Sequence, residues 1–395
     1  MRFEIKTLGT VAQYINGRAF KPVEWEETGL PIIRIQNLTN PNAKYNYSSA
    51  EYEEKYLINN GDLLFAWSAS LGAHIWKQGS AWLNQHIFKV IPNNDVDRDY
   101  LYYYLLKVVA ELYQKAHGTG MVHITKVPFM ATTIPIPDLD TQRKIVYHIE
   151  ESLSQLDSAV ETLKKTKQQL EVYRQAVLKE AFEGLLTHSE KIKDDELINY
   201  IEKPRYGTSK KCTYSNSESM IPVYRIPNIE IKQMRIDKDD IKFAAFAESE
   251  LDPIRLVKDD ILIIRSNGSA SLVGRAAIIY QSDTDATFAG YLIRLRITNK
   301  IKLSPKYLLW YLQSSKARAY IEGKAKSTSG VHNINSTEIS SLDLPIFEID
   351  EQNKIVEAIE SRISVYDTIE QTVNQSLQQA EALRQSILKQ AFEEE

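Results

Sequence analysis

Two stretches of the chain repeat apolar residues at alternating steps of three and four. The first runs Ile149, Leu153, Leu156, Val160, Leu163, then Leu170 and Val177. The second runs Val356, Ile359, Ile363, Tyr366, Val373, Leu377, Ala380 and Ile387. A seam that returns every seven residues predicts helices wound on each other. No Gly or Pro interrupts 141–183 or 351–395, and at 1.5 Å per residue a helix from about 141 to 184 would span roughly 65 Å. Asp140-Thr141 and Asp350-Glu351 offer the N-terminal cap and the negative charge that suits a helix dipole. Polar residues break the seam at Lys167, at Glu370, and at Arg174 with Arg384, which share one register. Such breaks either align two paired helices or lie beyond the paired region, in solvent.

The remaining sequence has a different texture. Residues 1–137 and 200–345 consist of short apolar alternations broken by Gly, Pro, Asn and Ser, which predicts strands and loops. Asp62-Leu63-Leu64-Phe65-Ala66 and Asp260-Ile261-Leu262-Ile263-Ile264 are examples. Residues 100–106 and 307–312 predict short helices that lay an aromatic face on a sheet.

These parts are two copies of one unit. Leu30-Pro31-Ile32-Ile33-Arg34-Ile35-Gln36-Asn37 matches Ile221-Pro222-Val223-Tyr224-Arg225-Ile226-Pro227-Asn228, Gly61-Asp62-Leu63-Leu64 matches Asp259-Asp260-Ile261-Leu262, and Tyr100-Leu101 matches Tyr307-Leu308. The offset grows through this part, which implies loop insertions in the second copy. From Gly120 and Gly330 onward it stays constant, as an element of fixed length requires. Arg34 and Arg225, inside strand-like runs, read as structural.

A length of 395 residues predicts two or three domains. Apolar and charged fractions of 43% and 25% are those of a soluble globular chain. No apolar run is long enough to span a membrane, and Met1-Arg2-Phe3-Glu4 does not open a signal peptide. The single cysteine, Cys212, cannot form an internal disulfide, which suggests a reducing, cytoplasmic setting. The net charge of −4 hides a partition. Residues 1–137 hold 13 Lys+Arg against 12 Asp+Glu and residues 200–345 hold 22 against 16, whereas 138–199 hold 9 against 13 and 346–395 hold 4 against 11.

No catalytic constellation is evident. There is no Asp/Asn/Ser-Pro-Pro-aromatic motif for methyl transfer to an amino group, and residues 268–275 lack the Lys-Ser/Thr of a phosphate-cradling loop. His117 and His123 lack partners at metal-ligand spacing, His74, His86, His148, His188 and His332 are scattered, and Cys212 reads as an ordinary loop or core cysteine. The expectation is a chain with no catalytic residue, metal or cofactor of its own.

Three loops per copy instead concentrate Gly, hydrogen-bonding side chains and positive charge. Gly admits close backbone approach, Lys, Ser and Thr suit phosphate oxygens, and Arg and Asn suit guanine and adenine edges. The candidate DNA contacts of the first copy are Arg18, Lys21, Trp67, Ser68, His74, His117, Thr119, His123 and Lys126. Those of the second are Arg205, Lys210, Lys211, Arg265, Asn267, Arg275, Lys324, Lys326, Ser329 and His332. Polar Gly-rich loops are also the usual way to join strands.

The ordered, duplicated pattern resembles the specificity subunit of type I restriction-modification systems. The likeness is carried by Ile134-Pro135-Ile136-Pro137 with Gln142 and Lys144-Ile145-Val146, and by Leu344-Pro345-Ile346 with Gln352 and Lys354-Ile355-Val356. The helix ends Ala181-Phe182-Glu183 and Ala391-Phe392-Glu393 also fit. Thr141 and Phe347 are mild departures. The resemblance covers essentially the whole chain. It implies an α+β architecture in which two α/β target recognition domains, 1–138 and 201–345, alternate with conserved helical spacers, 139–186 and 346–395, with a linker at 187–200. The two long helices would pair as an antiparallel coiled coil with pseudo-two-fold symmetry. Each recognition domain would read one half of a bipartite double-stranded DNA target, with half-sites about one helical turn apart. Two methyltransferase subunits would dock on the helices and methylate adenine N6, and restriction subunits would add translocation and cleavage. S-adenosylmethionine, and ATP with Mg, would then belong to those partners.

The competing reading is a non-enzymatic coiled-coil scaffold with two β-rich modules that bind protein or sugar. Trp67, Trp76 and Trp82 would suit a sugar site, and suit a hydrophobic core better.

Overall fold

The heptad seam folds as its spacing predicts. A computed structural model describes residues 3–40, 42–68, 70–115, 126–215, 217, 220–328 and 330–393. In it two helices, Leu139–Phe182 and Ile349–Glu393, are 44 and 45 residues long. Every apolar seam position named above is buried or half-buried. The first helix starts two residues earlier than its sequence suggests, because Asp138 is the capping side chain and accepts from the Thr141 N–H (3.0 Å) and hydroxyl (2.8 Å). It stops where Gly184 takes φ +77° and the N–H of Leu185 returns to the Glu180 carbonyl. A Cβ at Gly184 would lie 2.2 Å from the Ser189 carbonyl oxygen.

The chain divides into two units, Met1–Lys164 with Asn374–Glu395, and Lys165–Val373. Each holds one strand-rich module and portions of both long helices. In the first unit, strands Ala12–Asn16, Ile87–Pro92, Leu63–Ala66 and Gly72–Ile75 form an antiparallel sheet in that order. Asn46–Ser48, Leu30–Ile33, Ala81–Leu83 and Leu57–Ile58 form a mixed one. The aromatic segment forms part of helix Arg98–Lys115, longer than expected. Tyr100, Leu101, Tyr104 and Leu105 pack on Leu63, Phe65, Phe88 and Val90.

In the second unit the sheet order is Arg205–Tyr206, Leu292–Leu295, Ile261–Ile264, Ala276–Ile278, and a second sheet is Lys242–Ala245, Met220–Tyr224, Thr287–Phe288. Its aromatic helix is short, Pro305–Tyr311, because Ser314 caps a new helix, Ser315–Lys324, by accepting from the Ala317 N–H. The stretch 187–200, expected as a linker, contains strand Lys193–Glu196. That strand pairs antiparallel with Asp343–Ile346, and Leu197 and Tyr200 beyond it are buried. The equivalent ribbon of the first unit pairs Glu4–Thr7 with Thr133–Ile136.

The repeated Gln and Tyr residues now have a physical role. Gln142 donates to the Asp95 and Pro137 carbonyls and accepts from the Asp97 N–H. Gln352 does the same with Lys302, Phe347 and Ser304. Tyr100 and Tyr307 donate to the carbonyls of Pro135 and Pro345 (2.7 and 2.8 Å), so each module is tied to its exit strand. Each module is also capped by the end of the other copy's helix. Phe392 sits edge-on to Tyr100 and Tyr104 in the first unit, and Phe182 to Tyr307 and Tyr311 in the second.

Within each unit the helix segments run antiparallel. Ile149 and Leu153 meet Leu388 in one, and Leu178 and Phe182 share a core with Ile355 and Ile359 in the other. The polar seam breaks bear on this alignment. Arg384 forms an ion pair with Asp157 of the facing helix. Arg174 lies 5.7 Å from the ring of Tyr366, whose hydroxyl donates to Glu171. Glu370 pairs with Lys232. No helix among the described residues is long and apolar enough to cross a membrane.

Candidate nucleic-acid interface

One backbone frame is built twice. In the first unit the N–H of Arg18 donates to Leu83 (2.9 Å), Gln85 to Arg18 (2.8 Å), Asn84 to Ile33 (3.1 Å) and Trp67 to His86 (3.2 Å). In the second, Thr208 donates to Phe288 (2.8 Å), Gly290 to Thr208 (2.7 Å), Ala289 to Tyr224 (2.9 Å) and Arg265 to Tyr291 (3.0 Å). The frame closes tightly, because a Cβ on Gly17 or Gly207 would lie 2.1 Å from the Asn84 or Phe288 carbonyl oxygen. Asn37 and Asn228, both buried, accept from the N–H groups of Arg34 and Arg225 (3.0 and 2.8 Å) and donate to the following loop. What the frame displays differs between the copies.

In the second unit it lines an open cavity of about 630 Å³ with Tyr206, Lys210, Arg225, Lys242, Arg265 and Tyr291. The Arg265 guanidinium lies 4.5 Å from the Tyr206 ring centroid and donates weakly to the Gly290 carbonyl (3.5 Å). Lys210 is tied to Glu250 (2.6 Å) and the Ala245 carbonyl (3.0 Å), and this bond holds the Glu250 carboxyl below its ordinary range. Cys212 lines the same cavity, and burial raises its thiol pKa, which disfavours a nucleophilic thiolate.

Several expected loop residues lie on strands. Asn267 faces His332 across Ser266–Asn267 and Val331–Asn333, with Lys326–Thr328 as the third strand. The Ile334 N–H donates to the Arg265 carbonyl (2.9 Å), and the Ser336 N–H to the Tyr206 hydroxyl (2.8 Å), so this small sheet abuts the Arg265 wall. Arg205 is exposed on strand Arg205–Tyr206, Lys211 is exposed beyond Lys210, and Lys324 lies 5.7 Å from the Tyr320 ring. Arg275 does not join them. It donates to Gln313 (2.7 Å) and the Ser271 carbonyl (3.1 Å) and lines a separate cavity with Arg174 of the long helix.

In the first unit the cation on the frame is also engaged by an acid. Arg18 pairs with Glu24 (2.6 Å), lowering that carboxyl's pKa, and lies 4.4 Å from the Tyr52 ring. Lys21 is exposed. The Trp67 indole N–H donates to Asn16 Oδ1 (3.2 Å), and its ring packs on His86 and Phe88. Ser68 and His74 are half-buried, and burial lowers the His74 pKa, so the ring is neutral at pH 7. His117, Thr119, His123 and Ser329 lie outside the described residues, as do the side chains of Lys126 and Lys326. Sequence reasoning passed over Tyr291, Lys242, and the paired Arg34 and Arg225 as surface groups. Aligning Asn16-Gly17-Arg18 with Tyr206-Gly207-Thr208 would have pointed to the frame. Among the described residues no group of three or more His, Cys, Asp or Glu is placed to hold a metal ion.

One scaffold made twice, with different side chains on the same main chain, defines a duplicated recognition protein. The model for the type I restriction modification DNA specificity domain matches residues 2–172 and again 189–379, and the chain belongs to that family. It is 28% identical to the type I restriction enzyme StySPI specificity subunit of Salmonella potsdam, over 98% of this chain and 87% of that one. It is 27% identical to the EcoKI specificity subunit of Escherichia coli strain K12, over 98% and 88%. Its fold is similar to a chain solved in work on complex assembly and conformational transition of the type I R-M system (TM-score 0.74, 17% identity, 99% and 97% covered). It is also similar to the HsdS subunit from Thermoanaerobacter tengcongensis (TM-score 0.55, 17% identity, 99% and 96% covered).

Proposed function

We infer that this chain is the DNA sequence-specificity subunit of a type I restriction-modification complex. The observation that carries the reading is the family's domain occurring twice, each copy building the same main-chain frame beneath different side chains. Each module reads one half of a split duplex target. The acidic long helices suit protein partners, and two methyltransferase subunits dock there. Those subunits bind S-adenosylmethionine and methylate adenine N6 after flipping the base from the stack. Restriction subunits, where they join, bring ATP and Mg. The chain itself recognises and positions without catalysing, and works in the cytoplasm.

The sugar-binding scaffold is less well supported. Trp76 and Trp82 are core residues, the Trp76 indole donates to the Gly79 carbonyl, and Trp67 packs against the same core as Phe88. Trp76 and Trp82 are too deeply buried for a sugar to stack on.

The test is an adenine-methylation map of the source cell with and without this gene, repeated after residues 1–138 are exchanged for those of another family member. Loss of one split motif, with only one half changed by the exchange, is the expected result. Unchanged maps, together with ligand binding that barely responds between 50 and 200 mM salt, would refute the reading.

A further inference from the structure

Because both modules share one frame, each displayed side chain has a counterpart, and the comparison separates what is kept from what is exchanged. Asn16 is exchanged for Tyr206, Trp67 for Arg265 and His86 for Tyr291. Arg34 is kept as Arg225.

Bonds within the modules do not explain that retention. Arg225 donates to the Asp240 carboxylate and carbonyl, both at 2.7 Å. Arg34 has no such partner among the described residues. Its guanidinium lies 5.4 Å from the Trp25 ring, and Trp25 is itself partly exposed. The Nε of each arginine is shielded and unbonded. What the two share is placement. An Asn side chain fixes the backbone N–H of each, and the strand before each is bonded to the segment carrying Asn84–His86 or Ala289–Tyr291. Arg225 and Arg265 line the same cavity.

A cation kept while its neighbours change suits the part of a duplex that is the same in every sequence, the phosphate. The exchanged position suits what differs. Arg265, steadied over Tyr206, presents the fork that bonds guanine O6 and N7. Trp67, with its N–H engaged by Asn16, presents an apolar ring there and cannot make that contact.

We propose that each wall divides its duties: Arg34 and Arg225 clasp phosphates in both half-sites whatever their sequence, and Trp67 and Arg265 occupy the base-reading position, where Arg265 selects a guanine. This rests on the DNA-reading function inferred above.

The experiment uses the full chain assembled with its methylation subunits. The probes are a 40-bp duplex bearing the motif mapped from the cell and a scrambled duplex of equal composition. Arg34→Gln and Arg225→Gln should weaken binding to both duplexes by the same factor and leave the methylated motif unchanged. One lost phosphate contact lowers the salt slope by about 0.9. Raising salt from 50 to 200 mM should therefore cost each variant about 3.5-fold less affinity than it costs the wild type. Arg265→Ala should relax a single guanine in one half-site, and Trp67→Ala should alter only the other half. Arg225→Gln also breaks the pair with Asp240 and could destabilise its module. Arg34→Gln breaks no ion pair and keeps the test decisive. A changed motif in either Gln variant, an unchanged salt slope, or Arg265→Ala with both halves intact would overturn the division of duties. Failure of the underlying reading looks different: the wild-type complex would bind both duplexes alike, deleting the gene would leave the methylation map unchanged, and the proposal would fall with it.

Discussion

Gln352 lets the junction between module and helix be tested with one atom pair. It is fully buried; its Oε1 accepts from the Ser304 N–H (2.9 Å), and its Nε2 donates to the carbonyls of Lys302 (2.9 Å) and Phe347 (2.8 Å). Gln352→Glu keeps the shape and the acceptor but removes both donors. At neutral pH it also sets a carboxylate against two carbonyl oxygens. Two lost bonds at about 1 kcal/mol each, with two carbonyls left dry, come to roughly 3–5 kcal/mol. At a urea dependence of about 2 kcal/mol/M, the midpoint of the second unit should fall by on the order of 2 M. The pH sign is fixed by the same geometry. Burial against carbonyls raises the folded pKa of the new acid above its unfolded value of about 4.3. The charged form is thus the penalised one, and stability is lost as pH rises and regained as it falls from 7 toward 5, where the protonated acid can donate one bond again. Urea unfolding read by hydrogen-exchange pulse labelling of peptides covering 300–312 and 343–356 would report this, with Gln142→Glu as the matched change in the first unit. An unshifted midpoint at pH 7, or a loss that pH 5 does not relieve, would refute the account.

Three further outcomes follow from the packing. Phe182→Ala removes a buried ring held edge-on by Tyr307 and Tyr311 at 5.2 and 5.1 Å. It should cost about 3–4 kcal/mol, and the half-buried Phe392→Ala clearly less, as read by thermal unfolding of each variant. Gly207→Ala would force a Cβ to 2.1 Å from the Phe288 carbonyl oxygen, so DNA binding should fail and amides 288–291 lose protection. Gly268→Ala, with nothing within 4 Å, should change neither. Asp195, whose pKa is held down to about 2 chiefly by its bond to Lys193, stabilises the fold at pH values above its unfolded value of 3.8. That contribution disappears as pH falls from about 4 to 2, and Asp195→Asn should flatten this part of an acid titration followed by circular dichroism.

The helices were readable because their signal is local and long. A seven-residue seam sustained over forty residues has one geometric solution, and each end was placed within a few residues. The strand Lys193–Glu196 was not readable, because Lys-Asp-Asp-Glu has no apolar alternation. Its conformation is imposed by pairing with Asp343–Ile346, some 150 residues away, and by the buried Leu197 and Tyr200 that follow. Helix Ser315–Lys324, which ends the short aromatic helix expected at 307–312, escaped notice for a similar reason. Ser314 acts as a cap only because the turn at 312–314 directs Ser315–Lys324 elsewhere, where Arg318 reaches the Val273 carbonyl.

The site was half legible, and the missing half has one cause. Arg265 was visible because it opens a loop, residues 265–269, rich in Gly and hydrogen-bonding side chains. Arg34 and Arg225 looked structural because they lie inside strand-like runs, whereas each follows directly after its strand. The frame that gives them meaning is held almost entirely by main-chain bonds across loops of unequal length, so the match between copies drifts from Arg18 and Thr208 to His86 and Tyr291. Such a frame demands little of side chains: a missing Cβ at Gly17 and Gly207, and an amide at Asn37 and Asn228. Everything else on the wall is free to vary, which is what a protein that must read two different half-sites requires. Retention there consequently carries information. The glycines and asparagines are kept for bonds inside the module, whereas the side chains of the paired arginines have no internal bond in common among the described residues. The remaining reason to keep a fixed positive charge at one point of both walls lies on the far side of the interface.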